Sequence, residues 1–167
     1  MFNGFSSVAY FRNFIFGVED SLVSTVGLLS GVAVAGVPRE TILLTGVVLI
    51  FVEAISMAAG SFLSEYSAEG YATKAENPSK DNFISGAVMF FSYFVSGFVP
   101  LFPYLLWPID VALQCSVALS VVALFFLGII GARISGTNVF RNGFRMAVVG
   151  GVAITVGMLA GNILSKI

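Results

Sequence analysis

The sequence contains no histidine and only one cysteine, so two common kinds of functional site are missing from it. Cys115 has no second cysteine with which to form an internal disulfide, and a Cys/His metal cluster cannot be built without histidine. The serines and the cysteine lack the imidazole that commonly activates such nucleophiles, and no cofactor motif is present. We therefore expect neither an enzyme nor a bound cofactor.

Charge is also scarce, because charged residues make up 10% of the chain while hydrophobic residues make up 57%. A soluble domain carries roughly 25% charged residues, which is what allows it to present a wetted surface. The eight Lys and Arg residues form no basic patch that could hold a phosphate backbone, so nucleic acid is not an expected partner. Membrane lipid is the expected surrounding of this chain.

Continuous apolar runs of about twenty residues predict membrane-spanning helices, whereas barrel strands alternate in segments of about ten residues. We predict an all-α integral membrane protein with one transmembrane domain over residues 1–167. Its five helices cover roughly residues 14–35, 41–66, 83–103, 110–132 and 144–165, with a short cytoplasmic loop over 67–82. No helix breaker follows Ser64 before Asn77-Pro78, so this polar stretch is a candidate extension of the second helix into water.

The basic residues give these five helices an orientation. One side of the membrane receives six of them, and the other side receives only Arg39 and Lys166. The six are Arg12, Lys74, Lys80, Arg133, Arg141 and Arg145. This bias predicts a cytoplasmic N-terminus and a C-terminus that is outside or luminal.

The first apolar stretch contains two acidic residues, so we expect a retained helix rather than a cleaved signal peptide.

Three acidic residues, Glu19, Asp20 and Glu53, lie within the predicted spans, where an ionisable group is costly unless it faces protein, water or a partner. No other predicted helix offers Glu53 a basic residue at its depth, so Glu53 must be protonated, hydrated or bound to a cation. Met57 follows one turn later on the same face. A carboxylate beside a thioether suits a borderline metal such as Fe²⁺ better than Mg²⁺ or Ca²⁺.

Structural roles remain open for the same residues. Glu19 points about 100° away from Asp20, and it either reaches the cytoplasmic interface or pairs with Arg12. Asp20 has the same pairing with Arg12 as its structural alternative, and a lone methionine in a membrane helix is usually packing material. Glu65 and Glu69, spaced i and i+4, either share a cation or form a solvated helix end.

Four stretches carry a resemblance to a known family. Residues Tyr10–Gly31 resemble the first-helix signature of the vacuolar iron transporter family, which includes the yeast calcium-cross-complementing and nodulin-like transporters. Residues Glu53–Gly60 are similar to its Ala-Ile-Ser-Met-x-x-Gly motif, and Pro100–Tyr104 is similar to its Pro-Leu-x-Pro-Tyr segment. Arg141–Gly161 resembles its Gly-rich last helix, so the resemblance covers essentially the whole chain.

The resemblance implies a five-helix fold, usually a homodimer, that exports Fe²⁺ or Mn²⁺ from the cytosol in exchange for protons. At the matching positions Asp20 and Met57 would bind the metal. Many members carry an acidic residue where this chain has Leu49, and Glu53, one turn away, substitutes for it on about the same face. The predicted metal-binding residues are therefore Asp20, Glu53 and Met57. Gly157 and Gly161 form a small-residue face that packs closely, either between two copies or within one subunit.

The sequence also departs from the family pattern. The usual Asp-Gly-Leu is Asp20-Ser21-Leu22, and Ser61 stands where a Glu often follows the second motif. The segment Glu65–Asp81 is too short for the family's Glu-rich metal-collecting domain, so family ligands are not carried over to its glutamates, which include Glu76. This short form and the small size favour a prokaryotic plasma membrane, whereas the family name points to a vacuole or another organelle membrane.

Two other functions stay open beside proton-coupled metal export. One is a membrane-embedded metal-binding or scaffold protein that does not transport, and the other is a transporter of a different substrate on the same fold. A flux assay with a panel of metals separates all three.

Overall fold

The computed structural model describes residues 3–74 and 77–166, and within these ranges the chain is helical and contains no strand. Five long helices and one short helix follow in order: α1 Asn3–Val34, α2 Arg39–Thr73, α3 Lys80–Leu101, α4 Pro103–Leu106, α5 Ile109–Ile134 and α6 Val139–Leu164. The five long helices are each long and apolar enough to cross a bilayer. The prediction of an all-α integral membrane protein with five spanning helices is confirmed.

The first two helices extend further than their apolar parts. Helix α1 begins at Asn3 rather than at residue 14, because hydropathy marks only the part in lipid and no proline interrupts the residues before it. Helix α2 has 35 residues, and its polar extension runs to Thr73, so the loop predicted over residues 67–82 begins only there. Lys74 caps the helix, since its backbone has a φ of 59° and its N–H donates to the Gly70 carbonyl. Glu76 lies outside the described residues.

Prolines and one capping side chain set the later boundaries. Helix α3 ends at Leu101 rather than at residue 103, because Pro103 has no N–H to donate and instead begins α4. Ser116 in α5 donates a 2.7 Å hydrogen bond to the carbonyl of Pro100, which ties α3 to α5. Helix α6 begins at Val139 rather than at residue 144, because the Asn138 side chain accepts the N–H of Arg141 at 3.0 Å.

Helix α1 is central and contacts each of the other four long helices. Its contact with α6 depends on glycines from both helices. A Cβ atom on Gly157 would collide with the carbonyl oxygen of Gly27, and one on Gly161 would collide with that of Gly31. The two backbones therefore touch, as small residues allow in membrane helices. The small-residue face of Gly157 and Gly161 is used within one chain.

The antiparallel order of the five spans gathers the chain's basic residues. One end of the bundle, which we call the basic end, carries six of the eight Lys and Arg residues. They are Arg12, Lys74, Lys80, Arg133, Arg141 and Arg145. At the opposite end Arg39 donates to the carbonyls of Tyr104 and Leu105 and so anchors the start of α2 to α4. Which side of the membrane the basic end faces stays a prediction from charge bias.

Candidate metal path

Asp20 on α1 and Glu53 on α2 are both half-buried and lie close enough for their carboxylates to interact electrostatically. The residues around Asp20 hold α1 against α3. Ser21 donates a 2.6 Å hydrogen bond to the Tyr93 carbonyl, and the hydroxyls of Ser24 and Tyr93 are 2.7 Å apart. Tyr93 is fully buried and interacts electrostatically with both carboxylates. The structure therefore brings together two of the three predicted metal-binding residues.

No cationic side chain of the described residues forms an ion pair with either member of this pair. Among residues 3–74 and 77–166, neither Asp20 nor Glu53 forms an ion pair or a hydrogen bond through its carboxylate. Arg12, the basic residue considered as a partner for Asp20, forms an ion pair with Glu65 of α2 instead. In the described part of the chain no three Asp, Glu or Cys side chains are grouped so that they could hold a metal ion. Two carboxylates alone would thus leave most of a cation's coordination to other groups.

Glu19 faces a different part of the bundle. It lines a cavity of about 700 Å³ between α1, α5 and α6, together with Arg145 of α6. The Arg145 guanidinium acts electrostatically on the Glu19 carboxylate, so Glu19 has a cationic neighbour of its own. Arg12, the other basic residue that lines this cavity, forms its ion pair with Glu65. Glu19 therefore lies near both a cation, Arg145, and the carboxylate of Asp20, and it lines a different cavity from Met57.

Met57, the third predicted residue, is half-buried on α2, one turn from Glu53 towards the basic end. It lines a cavity of about 570 Å³ with Met89 of α3, and Asp20 and Glu53 are not part of the lining of this cavity. The three predicted residues therefore do not surround one cavity. They follow one another along the α1–α2 contact, with the carboxylate pair deeper in the bundle and the thioether nearer the basic end.

Three more carboxylates line a cavity of about 390 Å³ at the basic end itself. Each of them has a partner from another helix. Glu65 forms the ion pair with Arg12. Glu69 accepts from Asn82 Nδ2 at 2.8 Å. Asp81 accepts from the Tyr10 hydroxyl at 2.8 Å. These bonds join α1, α2 and α3, so the spacing of Glu65 and Glu69 serves helix contacts in this structure.

Sequence reasoning missed four side chains beside the predicted residues. Tyr93 and Met89 stand in an apolar run of α3, where an aromatic residue or a methionine is usually core. Asn13 and Ser61 are polar residues in helices α1 and α2, and both are buried. Asn13 and Ser61 could have been found from the sequence, because a buried amide or hydroxyl in a membrane helix needs a partner.

The chain is similar in sequence to known proteins of one family. A sequence model described as the VIT family matches residues 11–83 and 68–162. A rice (Oryza sativa subsp. japonica) protein named vacuolar iron transporter homolog 1 is 30% identical, with 90% of this chain and 72% of the relative covered. Rice vacuolar iron transporter 2 is 24% identical, with 85% and 82% covered. Arabidopsis thaliana vacuolar iron transporter homolog 1 is 28% identical, with 88% and 79% covered.

Proposed function

This chain belongs to the VIT family, and on that premise we propose that it exports Fe²⁺ or Mn²⁺ from the cytosol in exchange for protons. The names of its relatives support transport of iron as the shared activity. The coupling to protons and the choice between the two metals are our proposal for this chain. The basic end then faces the cytosol, as the positive-inside bias predicts.

The observation that carries the proposal is that the carboxylates of Asp20 and Glu53 are close enough to interact electrostatically, while no basic residue of the described chain forms an ion pair with either. Two negative charges held close together away from bulk water disfavour each other, so one site or both will take up a cation. A proton satisfies that need, and so does a divalent metal ion. Metal and protons therefore compete for the same oxygens, and this competition is the physical basis of exchange.

Met57 extends the path from this pair towards the basic end. Its thioether is a soft ligand, and it discriminates against Mg²⁺ and Ca²⁺, which prefer oxygen alone. A metal that enters from the basic end meets Met57 before it reaches Glu53 and Asp20. The proposed metal-binding residues are Asp20, Glu53 and Met57, in the same set as the sequence predicted.

The setting of the transporter is also part of the proposal. The protein is an integral membrane protein, and we place it in a prokaryotic plasma membrane because so few residues separate α2 from α3. We propose a homodimer that works without catalysis and without a resident cofactor. On the outward side of α2, Val48, Val52 and Ile55 remain exposed, where lipid or the second copy would cover them.

The test is metal flux into proteoliposomes with Fe²⁺, Mn²⁺, Co²⁺ and Zn²⁺, with and without a pH gradient. We expect Fe²⁺ or Mn²⁺ flux that a pH gradient accelerates, and we expect both Asp20→Ala and Met57→Ala to abolish it. Asp110→Ala is the matched control, because Asp110 is exposed at the start of α5 near the opposite end. Met158→Ala on α6 is the control for the lost thioether.

Normal flux of both metals in the two variants would refute the proposed path. Metal binding without flux in the unaltered protein would favour the membrane-embedded binding or scaffold protein. Flux of another metal that ignores Fe²⁺ and Mn²⁺ as competitors would favour a different substrate on the same fold.

A further inference from the structure

The cavity that Met57 lines has features that the carboxylate pair does not explain. It measures about 570 Å³ and lies between α1, α2 and α3, on the side of the pair that faces the basic end. Besides Met57 it is lined by Met89 of α3, Asn13 of α1 and Ser61 of α2. Glu65, the ion-pair partner of Arg12, lines it as well. We call this space the thioether cavity.

Two polar groups of the thioether cavity are buried without a partner. Asn13 is 4% exposed and Ser61 is 8% exposed, and neither Asn13 Nδ2 nor Ser61 Oγ has a hydrogen-bond partner. Buried amides and hydroxyls are nearly always hydrogen-bonded, so these two groups call for a ligand or a water molecule. The two orientations of an Asn amide have the same shape, and in the flipped one the Asn13 carbonyl oxygen takes the position of the unpartnered nitrogen.

The two thioethers come from different helices, and packing holds Met89 in place. Met89 is 2% exposed, and its sulfur lies against α1 at Gly17, where an added Cβ atom would be 3.1 Å from Met89 Sδ. The absence of a side chain at Gly17 thus makes room for this sulfur beside α1. Met57 approaches the same cavity from α2. Packing alone accounts for one methionine, but two thioethers beside two unpartnered polar groups form a mixed sulfur and oxygen surface.

From this surface we infer that the thioether cavity binds a divalent transition metal ahead of the Asp20–Glu53 pair. Met89 and Met57 supply sulfur, and Asn13 and Ser61 supply oxygen. Glu65 adds negative charge, for which an entering cation competes with Arg12. Hard cations such as Mg²⁺ gain little from thioethers, so the cavity selects borderline metals before they reach the pair. This inference rests on the proposed function, because it adds a binding step to the same path.

The experiment measures equilibrium binding of Co²⁺ to the full-length protein in detergent, with excess Mg²⁺ present, and the X-ray absorption spectrum of the bound Co²⁺. We expect a sulfur shell around the metal in the unaltered protein. Met89→Leu keeps the side-chain volume and removes the sulfur. It should weaken binding at least about tenfold, because the loss of a group that only orients a metal ligand already has an effect of that size. Ser61→Ala is a second, smaller change that should weaken binding in the same direction. Met158→Leu on α6 is the matched control and should bind Co²⁺ normally.

The outcomes separate this inference from the proposed function. Binding that is unaltered by both Met89→Leu and Ser61→Ala, or a spectrum without sulfur, overturns the inference and leaves the cavity as a water-filled space. Proteoliposome flux with normal selectivity in Met89→Leu would agree with that result while it upholds metal export. Sulfur-ligated Co²⁺ that both variants weaken upholds the cavity even in a protein that shows no flux.

Discussion

Two regions of this bundle place carboxylates in different surroundings. At the basic end Glu65, Glu69 and Asp81 each have a protein partner, which is Arg12, Asn82 or Tyr10. Deeper in the bundle Asp20 and Glu53 interact electrostatically, and neither forms an ion pair or a hydrogen bond within the described residues. The partnered carboxylates join helices, and the unneutralised pair is where we propose that a cation or a proton binds.

The largest effect should follow from removing one member of the deep pair. We expect Glu53→Gln to reduce metal flux in proteoliposomes by at least about tenfold, because the amide cannot carry the charge that a metal or a proton neutralises. Glu69→Gln at the basic end is the matched control and should retain most of the flux. Equal losses in the two variants would erase the distinction between the two regions.

The partnered region should show its importance in stability instead. Asn82 is 3% exposed and donates to Glu69, so Asn82→Ala should cost about 1–2 kcal/mol and lower the melting temperature in detergent. Metal flux should be nearly normal at a temperature where the variant is folded. Asn162→Ala, at an exposed position near the end of α6, is the control that should leave the melting temperature unchanged. A stable Asn82→Ala variant without flux would move the basic end into the transport path.

Tyr93 is a buried packing residue close to the Asp20–Glu53 pair, so we expect its hydroxyl to affect both stability and flux. Tyr93→Phe removes the hydroxyl that shares a hydrogen bond with Ser24, at a cost of about 1 kcal/mol. We expect a lower melting temperature together with a few-fold loss of flux, since Ser24 lies one turn from Asp20. Tyr71→Phe at an 85% exposed position should change neither quantity. Loss of stability with unaltered flux would make Tyr93 a purely structural residue.

The smallest effect should come from the ion pair at the mouth of the thioether cavity. Arg12 is 64% exposed, and exposed ion pairs contribute less than about 1 kcal/mol. Glu65→Gln should therefore lower the melting temperature only slightly, and the difference from the unaltered protein should shrink in high salt. A large loss that salt does not reduce would show that the pair is stronger than its exposure suggests.

The sequence could predict the parts of this fold that depend on solvent. Apolar runs predicted all five spanning helices, because lipid requires about twenty apolar residues for each crossing. The missing helix breaker after Ser64 indicated that α2 continues into water, and the structure carries it to Thr73. The start of α1 at Asn3 was outside the reach of hydropathy, because residues beyond the lipid carry no such signal.

Contacts between helices were beyond sequence reasoning. The pairing of Arg12 with Glu65 rather than with Glu19 or Asp20 depends on how α1 and α2 pack, and the chain separates these residues widely. Spacing along α2 placed Glu53 and Met57 on one face, but it could not show that Met89 from α3 completes the cavity around Met57. A methionine in an apolar run carries no sign of its function until its neighbours are known.

The central claim is that metal and protons compete for Asp20 and Glu53. The most direct measurement records Mn²⁺ entry and internal pH together in the same proteoliposomes. We predict that Mn²⁺ entry is accompanied by proton exit in the unaltered protein, and that Asp20→Asn and Glu53→Gln each suppress both movements together. Mn²⁺ entry without any proton movement, or proton-coupled entry that survives in the Asp20→Asn and Glu53→Gln double variant, would contradict the account.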